Sequence, residues 1–247
     1  KKGYRTVNID FQPAAGAGST SNSCGNVRFY YSTLDGVAAA YESAWYWHNW
    51  EEYIGLKDPR GLARFSDTGS VFIKNKVLNW PKVKASFDSV GVKYEEWDLQ
   101  TLKKKIPIAD FHSFYPPRLP DDPRFFEDSN EWLEGACYTP ESGYVGDPQL
   151  AAQNVEFAAK SRGAEFRYNK RVVGIQKEKN RVKGVTLDNV ATINKRIVLN
   201  VIVPPSFKIT TLAGLPEKTN IKTRSLVHEI PVVPQPENSI QTHDRYH

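Results

Sequence analysis

The stretch from Asp147 to Val203 narrows the possible folds more than any other part of the chain. Asp147 can cap a helix, and Pro148 suits the first helical position, where a missing N–H costs nothing. Leu150, Ala151, Val155, Ala158 and Ala159 recur at helical spacing and predict its buried face. Lys160 and Arg162 complement the negative C-terminal end, and Gly163 stops the helix. Strand-like runs follow at 164–168, 171–176, 181–187 and 196–203. The last run is almost wholly apolar, the pattern of a strand covered on both faces in a parallel sheet. This order of elements predicts an α/β fold.

Upstream, residues 4–10 read as a strand, followed by a small-residue loop over 13–25. A helix is expected over 33–54, with Val37, Tyr41, Ala44, Trp45, Trp47 and Ile54 on a wide apolar face. Thr33 or Asp35 can cap it and Gly55 ends it. A strand at 70–73, a helix at 81–90 stopped by Gly91, a strand at 92–97 and a helical turn at 99–106 come next. The proline-rich run 115–123, flanked by aromatics, reads as an ordered loop or lid.

Composition excludes several classes. With 247 residues, 40% hydrophobic and 25% charged, the chain can bury one large core or two modest ones. Its net charge of +5 is dispersed, as in Lys177-Glu178-Lys179, so no nucleic-acid tract is expected. No run is long enough for a membrane span and no signal peptide opens the chain. Cys24 and Cys137 make neither a disulfide framework nor a metal-spaced cluster, which favours a reducing, cytoplasmic setting and no metal. The chain opens Lys1-Lys2-Gly3 and lacks methionine, as a processed or incomplete chain would. His48, His112, His228, His243 and His247 form no triad with interpretable spacing. His228 falls in a strand expected at 224–229.

The run from Glu141 to Leu150, the helix after it, the segment from Arg162 to Phe166 and the strand from Arg171 to Ile175 together resemble the FAD-dependent D-amino-acid oxidase superfamily. Glycine oxidase, sarcosine oxidase and dimethylglycine dehydrogenase belong to that group. The order of elements from Tyr4 to about Glu229 fits the same template, and residues 170–199 look like its three-stranded β-meander. The resemblance implies a Rossmann-like FAD-binding domain with a β-meander, in two pieces, 1–35 and 140–215. It implies a discontinuous, mixed-sheet substrate or cap domain over 36–139 and 216–247.

The resemblance also implies site residues. Asp10 stands where an acid accepts hydrogen bonds from the adenosine ribose; the alternative is a strand-end turn acid. The loop carrying Gly18, Ser19, Thr20, Ser21, Ser23 and Gly25 stands where small residues let backbone N–H groups approach the cofactor; composition alone reads it as a surface loop. Val172 matches a position whose backbone pairs with adenine, or it simply packs. Arg28 matches an arginine near the flavin, suited to a substrate carboxylate or an anionic flavin; the alternative is a surface arginine. Tyr30 and Tyr31 are expected to line the pocket. Thr20, Ser21 and Asn22 occupy the positions of a covalent flavin anchor, so the implied FAD is noncovalent.

Three departures qualify the match. The glycine-rich turn expected about thirty residues before Asp10 lies outside the sequence. Val203 stands where the family has glycine, and the segment after Gln235 matches nothing in it. The implied reaction is oxidation of the carbon–nitrogen bond of a small amine or amino acid, with hydride passing to flavin N5 and either O₂ or an electron-transfer partner as acceptor. The departures leave a second reading open: a non-catalytic fragment or partner subunit that keeps the flavoprotein fold. A flavoprotein acting on a substrate such as glycerol 3-phosphate lacks a supporting phosphate cluster.

Overall fold

The structure, a computed structural model, describes residues 3–179, 181–202 and 206–215. In chain order the elements are β1 (Val7–Ile9), β2 (Asn26–Val27), α1 (Leu34–His48), α2 (Trp50–Ile54), β3 (Phe65–Ser66), β4 (Ser70–Lys74), α3 (Trp80–Val90), β5 (Glu95–Trp97) and α4 (Leu99–Lys105). They continue with β6 (Gly135–Thr139), β7 (Gly143–Val145), α5 (Pro148–Lys160), β8 (Glu165–Arg167), β9 (Val172–Glu178), β10 (Arg181–Leu187), β11 (Thr192–Asn194) and α6 (Ser206–Leu212). The class is α/β, with one parallel strand pair and three antiparallel sheets among the described residues. The chain divides into two compact units, with boundaries after Gly18 and, within α5, after Asn154.

In the first unit β1 and β8 pair in parallel, Val7 opposite Glu165 and Ile9 opposite Arg167. The antiparallel meander β9, β10 and β11 matches the expected one, with β10 central. Val185, Leu187 and Ile193 form its buried centre, packed by Val7, Ile9, Val172 and Ile175. That packing binds the meander to β1 through apolar burial rather than through ladder hydrogen bonds.

In the second unit β4, β6 and β5 form an antiparallel sheet with β6 in the middle. Alternation of side chains gives it two covered faces. Cys137 joins Phe29, Val37, Ala44, Val83, Phe87 and Val92 in one core, drawn from α1, α3 and neighbouring loops. Ala136 joins Trp97, Leu102 and Phe111 in the other, beneath α4. A small sheet of β2, β7 and β3 lies beside these.

Local signals predicted most helix ends. Thr33 Oγ1 accepts from Gly36 N at 3.2 Å, so Thr33 rather than Asp35 caps α1. Gly55 and Gly91 take left-handed conformations, φ 65° and 84°. Asp147 Oδ1 accepts from Leu150 N at 2.8 Å. The helix expected over 33–54 is instead two, broken at Asn49. Asn49 turns its backbone N–H and its side-chain Nδ2 onto Trp45 O, which diverts the chain from continuous helical geometry.

Three expectations of burial fail, the first on α1, where Trp45 is 52% exposed. Val155 is 43% exposed, whereas Asn154 and Glu156 on the same helix are buried. The apolar run at 196–203 forms no strand over its described part, 196–202, and Ile197, Leu199 and Val201 are 70%, 79% and 81% exposed. A two-faced apolar strand needs ladder partners on its edges, and among the described residues none pairs with this run. Val203, the tail from residue 216 and the strand expected at 224–229 lie outside the described residues.

Candidate functional site

The second unit brings Arg28, Tyr30 and Tyr31 together. They lie in the extended segment between β2 and α1, where successive side chains alternate sides. Arg28 Nη1 donates to Tyr30 O at 3.2 Å. Its guanidinium carbon stands 5.8 Å from the Tyr30 ring centre and 5.3 Å from that of Tyr31. Such contacts orient a planar cation while leaving donor groups available. No carboxylate forms an ion pair with Arg28 among the described residues. The side chain is exposed and charged, which is how an anion-binding arginine must stand.

Arg28 and Tyr30 border a cavity of about 210 Å³. Its apolar wall is Phe29, Val71, Phe72, Phe87 and Cys137, with Tyr30 stacked on Phe72 at 4.0 Å between ring centres. Asn26, Ser70 and Thr139 add polar groups. The Thr139 hydroxyl is already engaged, with Ser142 Oγ at 2.7 Å and Ser70 O at 3.3 Å. Burial pushes the Cys137 thiol up to about 12, so it stays neutral and unreactive at ordinary pH. Tyr31 is not part of the lining. Phe72, Phe87 and Cys137 had no signal in the sequence; they belong to β4, α3 and β6 and converge only in the folded unit.

The loop residues have mixed roles. Ser19, Thr20 and Ser21 are exposed. Thr20 O accepts from Ser23 N at 3.1 Å, and Ser23 Oγ accepts from Gly25 N at 3.1 Å. Ser23 therefore shapes the turn with its own hydroxyl. Gly25 has φ +67°, and a Cβ there would lie 2.3 Å from Val145 O. Its need for glycine is met by packing against β7 within this unit.

Asp10, Gly18 and Val172 belong to the first unit. Asp10 stands immediately after β1, its N–H donating to Arg167 O at 3.0 Å. Its carboxylate is exposed, and Oδ1 accepts from Gln12 N at 2.9 Å. An acid so held at the carboxyl end of a parallel strand has the acceptor chemistry that ribose hydroxyls require. At Gly18 a Cβ would meet only Gln12 Nε2, at 3.8 Å, an ordinary van der Waals contact. Val172 opens β9, opposite Leu187, and packs against the meander core. Asp10 thus presents an exposed carboxylate, while Val172 packs against the meander core.

No group of three or more His, Cys, Asp or Glu is placed to hold a metal ion among the described residues. No helix of the described residues is long and apolar enough to cross a membrane.

A parallel strand pair with an acid at its carboxyl end, packed on a β-meander, is an α/β arrangement compatible with nucleotide-cofactor proteins. The FAD-dependent oxidoreductase family, DAO, matches residues 1–203, and the chain belongs to that family. Its fold is similar to that of L-proline dehydrogenase from P. horikoshii, with TM-score 0.64 and 18% identity over 86% of this chain and 56% of that one. Glycine oxidase from Geobacillus kaustophilus gives TM-score 0.64 and 14% identity over 86% of this chain and 52% of that one. Glycine oxidase from Bacillus cereus ATCC 14579 gives TM-score 0.59 and 17% identity over 85% and 53%. The chain therefore spans little more than half the length of these structures. No curated protein matches its sequence significantly.

Proposed function

We propose that this chain is part of an FAD-dependent enzyme that oxidises the carbon–nitrogen bond of a small amine or amino acid. Membership of the FAD-dependent oxidoreductases supports the cofactor, and similarity to structures named as proline dehydrogenase and glycine oxidase supports the substrate class. The observation that carries the reading is Arg28, a cation without a carboxylate partner among the described residues, beside a cavity of mixed polar and apolar lining. In this reading Arg28 binds the substrate carboxylate through paired N–H donors. Tyr30 forms the cavity wall and, with Tyr31, keeps the guanidinium oriented.

Asp10 would accept hydrogen bonds from the ribose, and the lack of a side chain at Gly18 would allow close approach of the cofactor. Ser19, Thr20 and Ser21 would supply polar groups from the loop, and Val172 backbone contact with adenine. The FAD is held noncovalently, with the pieces 1–35 and 140–215 as its domain and 36–139 and 216–247 as the cap. When bound, FAD supplies the hydride acceptor.

Absorbance after incubation with FAD tests the reading directly. The expected result is retained flavin that bleaches on anaerobic addition of proline, glycine or sarcosine. Arg28→Lys should raise KM for amino acids by about 10- to 100-fold, the worth of a charge-assisted bidentate contact. A folded protein that takes up no FAD under any condition overturns it.

A further inference from the structure

We propose that the outer face of α1 and α2 docks a basic segment of a partner protein, whose arginine and lysine side chains lie against exposed aromatic rings. This goes beyond the redox reading and does not depend on it.

The rings come first. Val37, Ala44, Trp50 and Ile54 already fill the buried side of the two helices, so the remaining aromatics point outward. Trp45 and Tyr53 are 52% and 47% exposed, and Tyr46 is exposed as well. Trp45 meets Tyr46 edge to face at 5.2 Å between ring centres. Tyr46 meets Tyr53 at 4.8 Å, across the break at Asn49. Tyr53 in turn lies 5.6 Å from the buried Trp50, whose indole Nε1 donates to Asn154 Oδ1 at 3.3 Å. The three outer rings are held by one another and by a residue rooted in the core, so little side-chain freedom remains to be lost on contact. Touching rings make a contiguous apolar patch rather than scattered surface residues, and such patches mark interaction sites.

Charge decides the occupant. Between Arg28 and Lys57 the sequence has no lysine or arginine and four carboxylates, Asp35, Glu42, Glu51 and Glu52, in a chain of net charge +5. All four residues are exposed, and none forms an ion pair among the described residues. Glu42 stands three and four residues before Trp45 and Tyr46, on the same helix face. Glu51 and Glu52 precede Tyr53 on α2. No described lysine or arginine lies over any of the three outer rings. The face thus offers aromatic surface and unpaired carboxylates together, which suits cations on apolar stems, arginine above all. A second copy docked through the same face would set Glu42, Glu51 and Glu52 against their own equivalents, because a two-fold contact pairs a patch with itself. An anionic bilayer surface would be repelled by the same carboxylates. A positively charged segment of another protein meets neither obstacle.

The test uses the whole chain and a fluorescein-labelled peptide that alternates arginine with glycine, followed by fluorescence anisotropy. The expected result is saturable binding that weakens with added salt, with the matching lysine peptide about two- to five-fold weaker and the matching glutamate peptide not bound. Trp45→Ala combined with Tyr53→Ala should weaken the arginine peptide about five-fold or more. Glu51→Lys combined with Glu52→Lys should weaken it by a similar factor. Circular dichroism checks that both double variants fold; if one does not, the other and the peptide ranking in the unaltered chain decide.

Equal affinity for the arginine and glutamate peptides, or an affinity unchanged by the aromatic substitutions, overturns the inference. A dimer of the chain alone in sedimentation, dissociated by Trp45→Ala, gives the face to a second copy and overturns it as well. So does binding to neutral phosphatidylcholine vesicles that the same variant loses.

Discussion

The side-chain amide of Asn154 on α5 donates to the buried carboxylate of Asp58 at 2.9 Å. The same amide donates to Gly61 O at 2.9 Å, and its oxygen accepts from Ala63 N at 2.9 Å and Trp50 Nε1 at 3.3 Å. Asp58 is further held by Arg60, whose Nε and Nη2 donate to its two oxygens at 3.0 and 2.8 Å. The loop between α2 and β3 is thereby fastened to α5 by a fully paired polar network rather than by apolar packing.

Asn154→Leu should therefore be more damaging than a surface change. It would strip partners from Asp58, Trp50, Gly61 and Ala63 at once. Each stranded buried group costs about 1–3 kcal/mol, so a loss of at least about 3 kcal/mol is expected. Chemical denaturation of the variant measures it, and an unchanged midpoint would refute the network's role.

Acid sensitivity should come from Glu96. Hydrogen bonds from Lys74 and then Lys84 hold its carboxyl down at about 2, against an ordinary value of 4.5. The folded value lies below the unfolded one. Its contribution to stability is thus complete above pH 4.5 and is lost as pH falls toward 2. The Glu96→Gln variant should show a shallower fall in Tm over that window. Asp58, which Arg60 also holds well below the usual carboxylate range, should retain the remaining slope. Identical slopes in both proteins would exclude Glu96.

Gly25→Ala should destabilise the protein without any cofactor present. The left-handed backbone alone costs about 1–3 kcal/mol, and the added Cβ meets Val145 O. Melting curves in flavin-free buffer check this. A variant with unaltered Tm but weakened FAD uptake would reassign Gly25 from packing to cofactor contact.

The two cysteines should differ sharply in reactivity. Cys24 is exposed, whereas Cys137 is fully buried with its thiol pushed up to about 12. A thiol reagent at pH 8 should modify one sulfhydryl in the native state and the second only after denaturant is added. Rapid native labelling of both would contradict the burial of Cys137.

Much of this was legible in advance. Thr33, Gly55, Gly91 and Asp147 act on backbone groups within three or four residues, so their effects are written locally. The strands from 164 to 187 were likewise readable from alternation and turn residues, whereas the meander was implied by the family resemblance and its third strand, Thr192–Asn194, had no local signal. Val155 was not, because side-chain polarity alone places a valine inside and an asparagine outside. On α5 the donors and acceptors of residues 58–63 reverse that order. The break at Asn49 was missed for a related reason: the aromatic pattern of 33–54 continues across it, and a single side-chain hydrogen bond decides.

For the candidate site, Arg28, Tyr30 and Tyr31 are near neighbours in the chain, and their grouping needed no tertiary information. The cavity did. Ser70 and Phe72 face Thr139 and Cys137 across the β4–β6 register, and Phe87 reaches the same space from α3.

The sequence by itself determined most helix ends with their caps, the strands from 164 to 187 and the cationic character of Arg28. Those depend on short-range sterics, hydrogen bonding and periodicity. Only the tertiary structure decided that Asn154 is a buried anchor, that the run 196–202 joins no sheet among the described residues and that a cavity adjoins Arg28. Each depends on which distant segments supply ladder partners, hydrogen-bond donors or packing surface, and no local pattern records that choice.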